Sequence, residues 1–184
     1  MRRNSSNYIL ALGVLFASCG NPTSSSEGGT EFKDADRPPS RDQIIERNRE
    51  MLRKERELMD NFNDTNKLDL ERSGTGIYYR VHYRSGDTLR AREGDVAVFN
   101  YRSMLLSGEP LYNSPEGEPT QVRIGKEQIE LGLHEALQLM NRGDSAVFIL
   151  PSHLAFGVAG DQQKVPPNSP VLYEVFLIDV ITNP

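Results

Sequence analysis

Little in this 184-residue sequence could make or break a covalent bond. His82, His134 and His153 are far apart along the chain, and no group of Cys, His or acidic residues has the spacing of metal ligands, so no metal site is expected. Glycine-rich phosphate loops are absent, because Gly74-Thr75-Gly76 leads into a strand pattern and not a helix. Ser152-His153 has the types of a nucleophile and its base. Chain neighbours rarely form that pair, no Gly-x-Ser-x-Gly turn accompanies it, and a short turn after Pro151 is the plainer reading. What remains is chemistry by shape. Residues 151–170 carry Gly157, Gly160, Pro166, Pro167 and Pro170, and lie between two apolar runs, Ala146–Leu150 and Val171–Ile181. A loop of about twenty residues inside a compact domain usually has a function. Leu154, Phe156 and Val165 stand among its polar residues, and apolar side chains on such a loop suggest a pocket wall.

The elements that must hold this loop follow from period. Ile77–Tyr83 and Val96–Leu106 are rich in β-branched and aromatic residues, with turn signals at Ser85-Gly86-Asp87 and Glu93-Gly94-Asp95. Glu127–Met140 has helical spacing, with Ile129, Leu133, Leu137 and Met140 on one face. Strands, one amphipathic helix and more strands predict an α+β fold, in which an antiparallel sheet curls around that helix and buries its stripe. At 37% hydrophobic and 26% charged, the chain has room for one such domain, over residues 74–184, plus appendages.

The appendages lie upstream. Arg2, Arg3 and the apolar run Tyr8–Ala17 read as a secretory signal over residues 1–18, since the run is half of the ~20 residues that span a bilayer. Cys19, the lone cysteine, sits where a bacterial lipoprotein signal places its acylated residue; the alternative is an ordinary signal cut elsewhere, leaving a free thiol. With the signal removed, 19 basic face 26 acidic side chains, a net −7 that argues against a nucleic-acid partner. Residues 19–39 lack the apolar side chains to offset ordering entropy and read as a flexible tether. Ser40 with Gln43 matches a capping box and opens a helix over 40–63, in which Ile44, Ile45, Met51, Leu52, Leu58, Met59 and Phe62 make a narrow stripe. A coiled-coil seam would want apolar residues at Asn48 and Glu55. The stripe could pair with a second copy of itself or lie on the chain's own domain; a solvated helix with weak contacts is favoured, Glu55/Glu57 reading as a solvated face, and a homodimer through this helix stays open.

Five motifs in order and spacing carry a family resemblance: Asn100-Tyr101-Arg102-Ser103-Met104-Leu105 with Gly108, Leu111-Tyr112-Asn113-Ser114, Ile124-Gly125-Lys126 leading to Gly132-Leu133-His134-Glu135-Ala136-Leu137, Leu154-Ala155-Phe156-Gly157, and Val165-Pro166-Pro167 before the last strand. Residues 74–182 thus resemble an FKBP-type peptidyl-prolyl cis-trans isomerase domain. The resemblance implies an enzyme that uses no cofactor and acts on proline-containing polypeptides. As implied site residues it carries over Tyr101, Tyr112, Asn113, Phe156 and Tyr173 as catalytic, and Ile129, Glu130, Leu133 and Val165 as substrate-binding, with the backbone N–H of Glu130 donating to the bound carbonyl.

Rotation about an Xaa–Pro bond must cross a barrier of ~18–20 kcal/mol set by amide resonance. An aromatic cleft that takes the amide out of water and favours its twisted form is enough to speed it, with no nucleophile. The sequence departs from the family's pattern at several implied positions. Asn113 stands for an aspartate, Leu133 for a floor tryptophan, Phe156 for a tyrosine and Thr120 for a wall phenylalanine. A lost hydrogen bond costs about 0.5–1.5 kcal/mol and each ~1.36 kcal/mol is tenfold in rate, so reduced activity is expected. The alternative is a proline-peptide-binding or chaperone module in an envelope assembly. Gly20 after Cys19, where an aspartate would retain a lipoprotein in the inner membrane, points the lipid-anchored chain to the outer membrane.

Overall fold

In the computed structural model, which describes residues 38–182, the side chains of each strand divide between two apolar clusters by simple alternation. Along β6 (Ser145–Leu150), Ala146, Phe148 and Leu150 enter one cluster while Val147 and Ile149 enter the other. Along β7 (Val171–Ile181), Val171, Tyr173, Val175 and Leu177 go one way and Leu172 the other. Successive side chains of a strand point to opposite faces, so this sheet is covered on both.

The sheet is antiparallel throughout. With β1 (Glu71–Arg72), β2 (Tyr78–Tyr83), β3 (Val96–Leu105) and β4 (Pro110–Asn113), its order is β1-β2-β6-β7-β3-β4, and β5 (Thr120–Arg123) pairs with the first half of β3 on the β4 side. β7 spans the range expected from sequence, and β2, β3 and β6 differ from expectation by one residue at an end. β1, β4 and β5 are additional, each only two to four residues long, too short for a period to register.

One face of the sheet carries the larger core, where Leu133, Ala136 and Leu137 of α2 (Leu131–Leu137) meet Phe99, Phe148 and Leu177. The helix is shorter than the expected 127–140. Glu130 has an extended backbone (φ −60°, ψ 133°) at the N-cap, and residues 127–129 form bends before it. Ile129 falls in phase with Leu133 and Leu137 but leaves the helix for the loop that precedes it.

The other face is covered by α1 (Arg41–Asn66), with the capping box as expected: Gln43 N–H donates to Ser40 Oγ (3.3 Å) and Ser40 N–H to Gln43 Oε1 (2.8 Å). The helix runs to Asn66 and ends on Lys67 in the left-handed conformation. The expected solvated helix is corrected here. Met59 is buried against Tyr78, Ile149 and Leu172, Phe62 packs beside it, and Glu55 is only 7% exposed. The first half does remain solvated, with Ile44, Ile45 and Leu52 exposed. No helix among the described residues is long and apolar enough to cross a membrane. Cys19, the signal and most of the tether lie outside the described residues.

Candidate active site

The cleft opens where the loop before α2 faces the loop after β6, and its lining includes Tyr101, Ile129, Glu130, Ala155 and Phe156. Its sheet wall begins with the order of β3 and β7. Tyr101 pairs in register with Val175, so Tyr101 and Tyr173 lie two residues apart across neighbouring strands and on the same face. Their rings meet at 5.8 Å between centroids, and Phe99 extends the row at 5.9 Å from Tyr101, within the range of favourable tilted pairs. Tyr173 is buried and donates its hydroxyl to Glu130 Oε1 at 2.9 Å. Burial, and then the Glu130 carboxylate, push both tyrosines above the ordinary phenol value. Tyr101 is consequently a neutral O–H donor at the cleft.

The turn that leads to Ile129 and Glu130 is held by His134. Gly125 N–H donates to its Nδ1 (3.1 Å), so the proton must sit on Nε2, which donates to the Glu127 carbonyl (3.0 Å). One buried imidazole therefore ties both ends of residues 125–127 to α2.

The loop wall is built differently. Phe156 follows the 3₁₀ turn Ser152–Leu154, and its ring lies 6.5 Å from that of Tyr112. Tyr112 donates its hydroxyl to Asp161, which also accepts the N–H groups of Gln163 (2.9 Å), Lys164 (2.9 Å) and Val165 (2.7 Å). Burial pulls the Asp161 carboxyl upward, but the bonds from Tyr112 and the three amides outweigh it and hold the group at about 2. The hydrogen bond to Asp161, followed by burial, raises Tyr112 in turn. Lys164 reaches over the Tyr112 ring, 5.0 Å from its centroid, and donates to the Leu111 carbonyl at 2.7 Å. Gly160 makes the turn possible: at φ +66° a Cβ would stand 2.0 Å from the Val165 carbonyl oxygen.

Of the residues singled out in the sequence, the structure gathers Tyr101, Tyr112, Ile129, Glu130, Phe156 and Tyr173 about this cleft. Leu133 and Val165 are buried in the core behind it. Asn113 lies elsewhere. Next to Tyr112 on β4 it faces the opposite way, exposed, with Nδ2 on the Ser114 carbonyl (2.8 Å). Asp161, Lys164 and His134 were not anticipated. Gly160-Asp161 had the composition of a side-chain-capped turn, but its tie to Tyr112, 49 residues away, left no local trace. Among the described residues no cluster of His, Cys, Asp and Glu has the makings of a metal site. A cleft of aromatic and aliphatic side chains around Tyr101, Ile129 and Phe156, with Glu127, Gln128 and Glu130 also in its lining, suits the binding and twisting of an amide.

Comparison with known proteins defines the class. Residues 88–178 match the profile of the FKBP-type peptidyl-prolyl cis-trans isomerases, and this domain is of that family. It is similar to the FKBP-type peptidyl-prolyl cis-trans isomerase FkpA of Escherichia coli strain K12, with 33% identity over 109 residues, 59% of this chain and 39% of FkpA. It is also similar to a probable FKBP-type isomerase of Haemophilus influenzae, with 28% identity over 114 residues, 61% of this chain and 46% of the relative. The chain thus spans less than half the length of these curated relatives. The crystal structure of FkpA from Escherichia coli superposes with a TM-score of 0.59 at 24% identity, covering 82% of this chain and 77% of that one, a likeness of fold.

Proposed function

We propose that this domain is a peptidyl-prolyl cis-trans isomerase acting on Xaa–Pro bonds of polypeptides that fold outside the cytoplasm. The observation that carries the proposal is the cleft between the Tyr101–Tyr173 pair and the Phe156–Tyr112 pair, on a domain of a family named for this reaction. In this reading the proline ring enters among Tyr101, Ile129 and Phe156, and the preceding carbonyl receives the N–H of Glu130. The Tyr101 hydroxyl supplies a second donor. Water excluded from the cleft no longer stabilises the planar, polar amide, and donors fixed in place favour the twisted form.

A second reading, a holder of proline-containing segments with little catalysis, is favoured by Phe156, which brings no hydroxyl to the cleft, and by the aliphatic Leu133 beneath it. Exchange NMR on an Xaa–Pro peptide separates the two. The isomerase reading expects accelerated exchange that vanishes in Tyr101→Ala; binding without acceleration sinks it in favour of the holder.

The address of the protein is part of the proposal. Arg2, Arg3, the short apolar run and Cys19 support lipid anchoring in the cell envelope, and Gly20 supports the outer membrane. Labelled palmitate appearing on the chain and lost in Cys19→Ala is the expected outcome. The exposed Ile44, Ile45, Leu52 and Leu58 of α1 support a homodimer through that helix, checked by a two-chain mass in solution that Leu52→Glu reduces to one.

A further inference from the structure

We propose that Glu55 of α1 is a positioning residue for the cleft, holding in place the loop segment that carries Phe156; this rests on the isomerase reading above. Glu55 lies on the helix, far along the chain from any residue of the cleft, yet it is buried where Glu46, Glu50 and Glu57 are not. A buried carboxylate is costly unless it is bonded. Here both oxygens are engaged by one residue: Ser152 N–H donates to Oε1, and Ser152 Oγ–H donates to Oε2 at 3.0 Å, across 97 residues of chain.

The partner is informative. Ser152 opens the 3₁₀ turn Ser152–Leu154, and the residue at its N-cap is Pro151, which has no side-chain acceptor. The first N–H groups of such a turn need an acceptor from elsewhere, and Glu55 supplies it from another element. The Ser152 carbonyl, for its part, receives Ala155 N–H (3.0 Å) and Gly157 N–H (2.7 Å). Residues 155 and 157 bracket Phe156, so Ser152 is the root of the loop wall and Glu55 holds the root.

Neighbouring contacts make this link stiff. One turn along α1 from Glu55, Met59 packs with Ile149 and Leu172, seating the helix against the end of β6. From the other side, Gly132 of α2 lets the turn come close: a Cβ there would stand 3.0 Å from the Leu154 carbonyl oxygen. The turn is thus clasped between the two helices, one contributing a carboxylate and the other an absent side chain. The remote end of the segment is tied by Asn168 N–H to the Gly157 carbonyl (3.0 Å).

The test compares the full wild-type chain with Glu55→Ala, Glu55→Gln and Ser152→Ala by two readouts, amide hydrogen exchange and peptide isomerisation kinetics. Positioning predicts that Glu55→Ala speeds exchange of the Ala155 and Gly157 amides about tenfold or more while β3 and β7 amides are unchanged. It also predicts that KM for an Xaa–Pro peptide rises about fivefold with kcat within about twofold. Glu55→Gln, which keeps an acceptor oxygen for Ser152, restores most of both. Ser152→Ala keeps the amide donor and falls between, and serves if Glu55→Ala does not fold. A melting temperature lowered in Glu55→Ala with KM and the 155 and 157 amides as in wild type overturns the proposal, leaving Glu55 a stabilising residue only. Wild-type chain without isomerase activity refutes the enzyme reading alone, because amide exchange still decides whether Glu55 holds the Phe156 segment.

Discussion

The sheet wall of the cleft, Tyr101 and Tyr173, stands on two central strands paired over their whole length, with Phe99, Phe148 and Leu177 packed behind. The loop wall, Phe156 and Tyr112, is only partly buried against that core and is further fixed at points: Asp161 on three amides and a phenol, Glu55 on Ser152, Gly160 in its turn. Burial is non-directional and tolerates small adjustments, whereas a hydrogen bond weakens steeply away from its preferred angle. The first wall therefore resists distortion collectively and the second depends on a few atoms. Cleft function is expected to fail through the fold on one side and through geometry on the other.

Substitutions can break that contrast. Tyr173→Ala removes a buried ring from the sheet wall, and about 3–5 kcal/mol of stability should go with it, read from urea unfolding. A cost near zero would mean that the sheet wall does not depend on packing. Gly160→Ala forces a side chain into a left-handed turn against the Val165 carbonyl, costing about 1–3 kcal/mol. Peptide affinity should drop with it while protection of β3 and β7 amides holds; loss of that protection would merge the two walls into one cooperative unit.

Acid sharpens the comparison further. The Asp161 carboxyl sits at about 2 in the folded chain against an ordinary value of 3.8. Its lowered value stabilises the loop wall above pH 3.8, and that contribution diminishes below it and is gone as pH falls through 2. As pH falls towards 2 the Tyr112 and Phe156 ring resonances should shift before those of Tyr173, and Asp161→Asn should remove the early step. The smallest effect is expected at Asn113→Ala, within about 0.5 kcal/mol and with unchanged kinetics, because its side chain is exposed and faces away from the cleft. A tenfold fall in kcat/KM would return Asn113 to the site.

Much of the fold was legible because it rests on local pattern. Val171–Ile181 was long and apolar enough to read as a strand from end to end, and Ser40 with Gln43 marked the start of α1. The misreadings share one cause, which is that periodicity records spacing and not surroundings. Ile129 kept helical phase with Leu133 while belonging to the cleft loop. Glu55 interrupted an apolar stripe and so read as solvated, although Ser152 makes a buried carboxylate tolerable there. Asn113 and Tyr112 are neighbours in sequence, and only the direction of β4 separates the one from the other.

By itself the sequence determined the longer strands and the start of α1, the absence of nucleophilic or metal-binding patterns, the family resemblance and the aromatic residues from which a cleft could be made, since these depend on residue type and short-range spacing. Only the tertiary structure decided that α1 covers the second face of the sheet, that Asp161 meets Tyr112, and that Glu55 meets Ser152. Those contacts join positions dozens of residues apart. Each depends on where the chain returns to itself, which the antiparallel order of the sheet sets and no local pattern encodes.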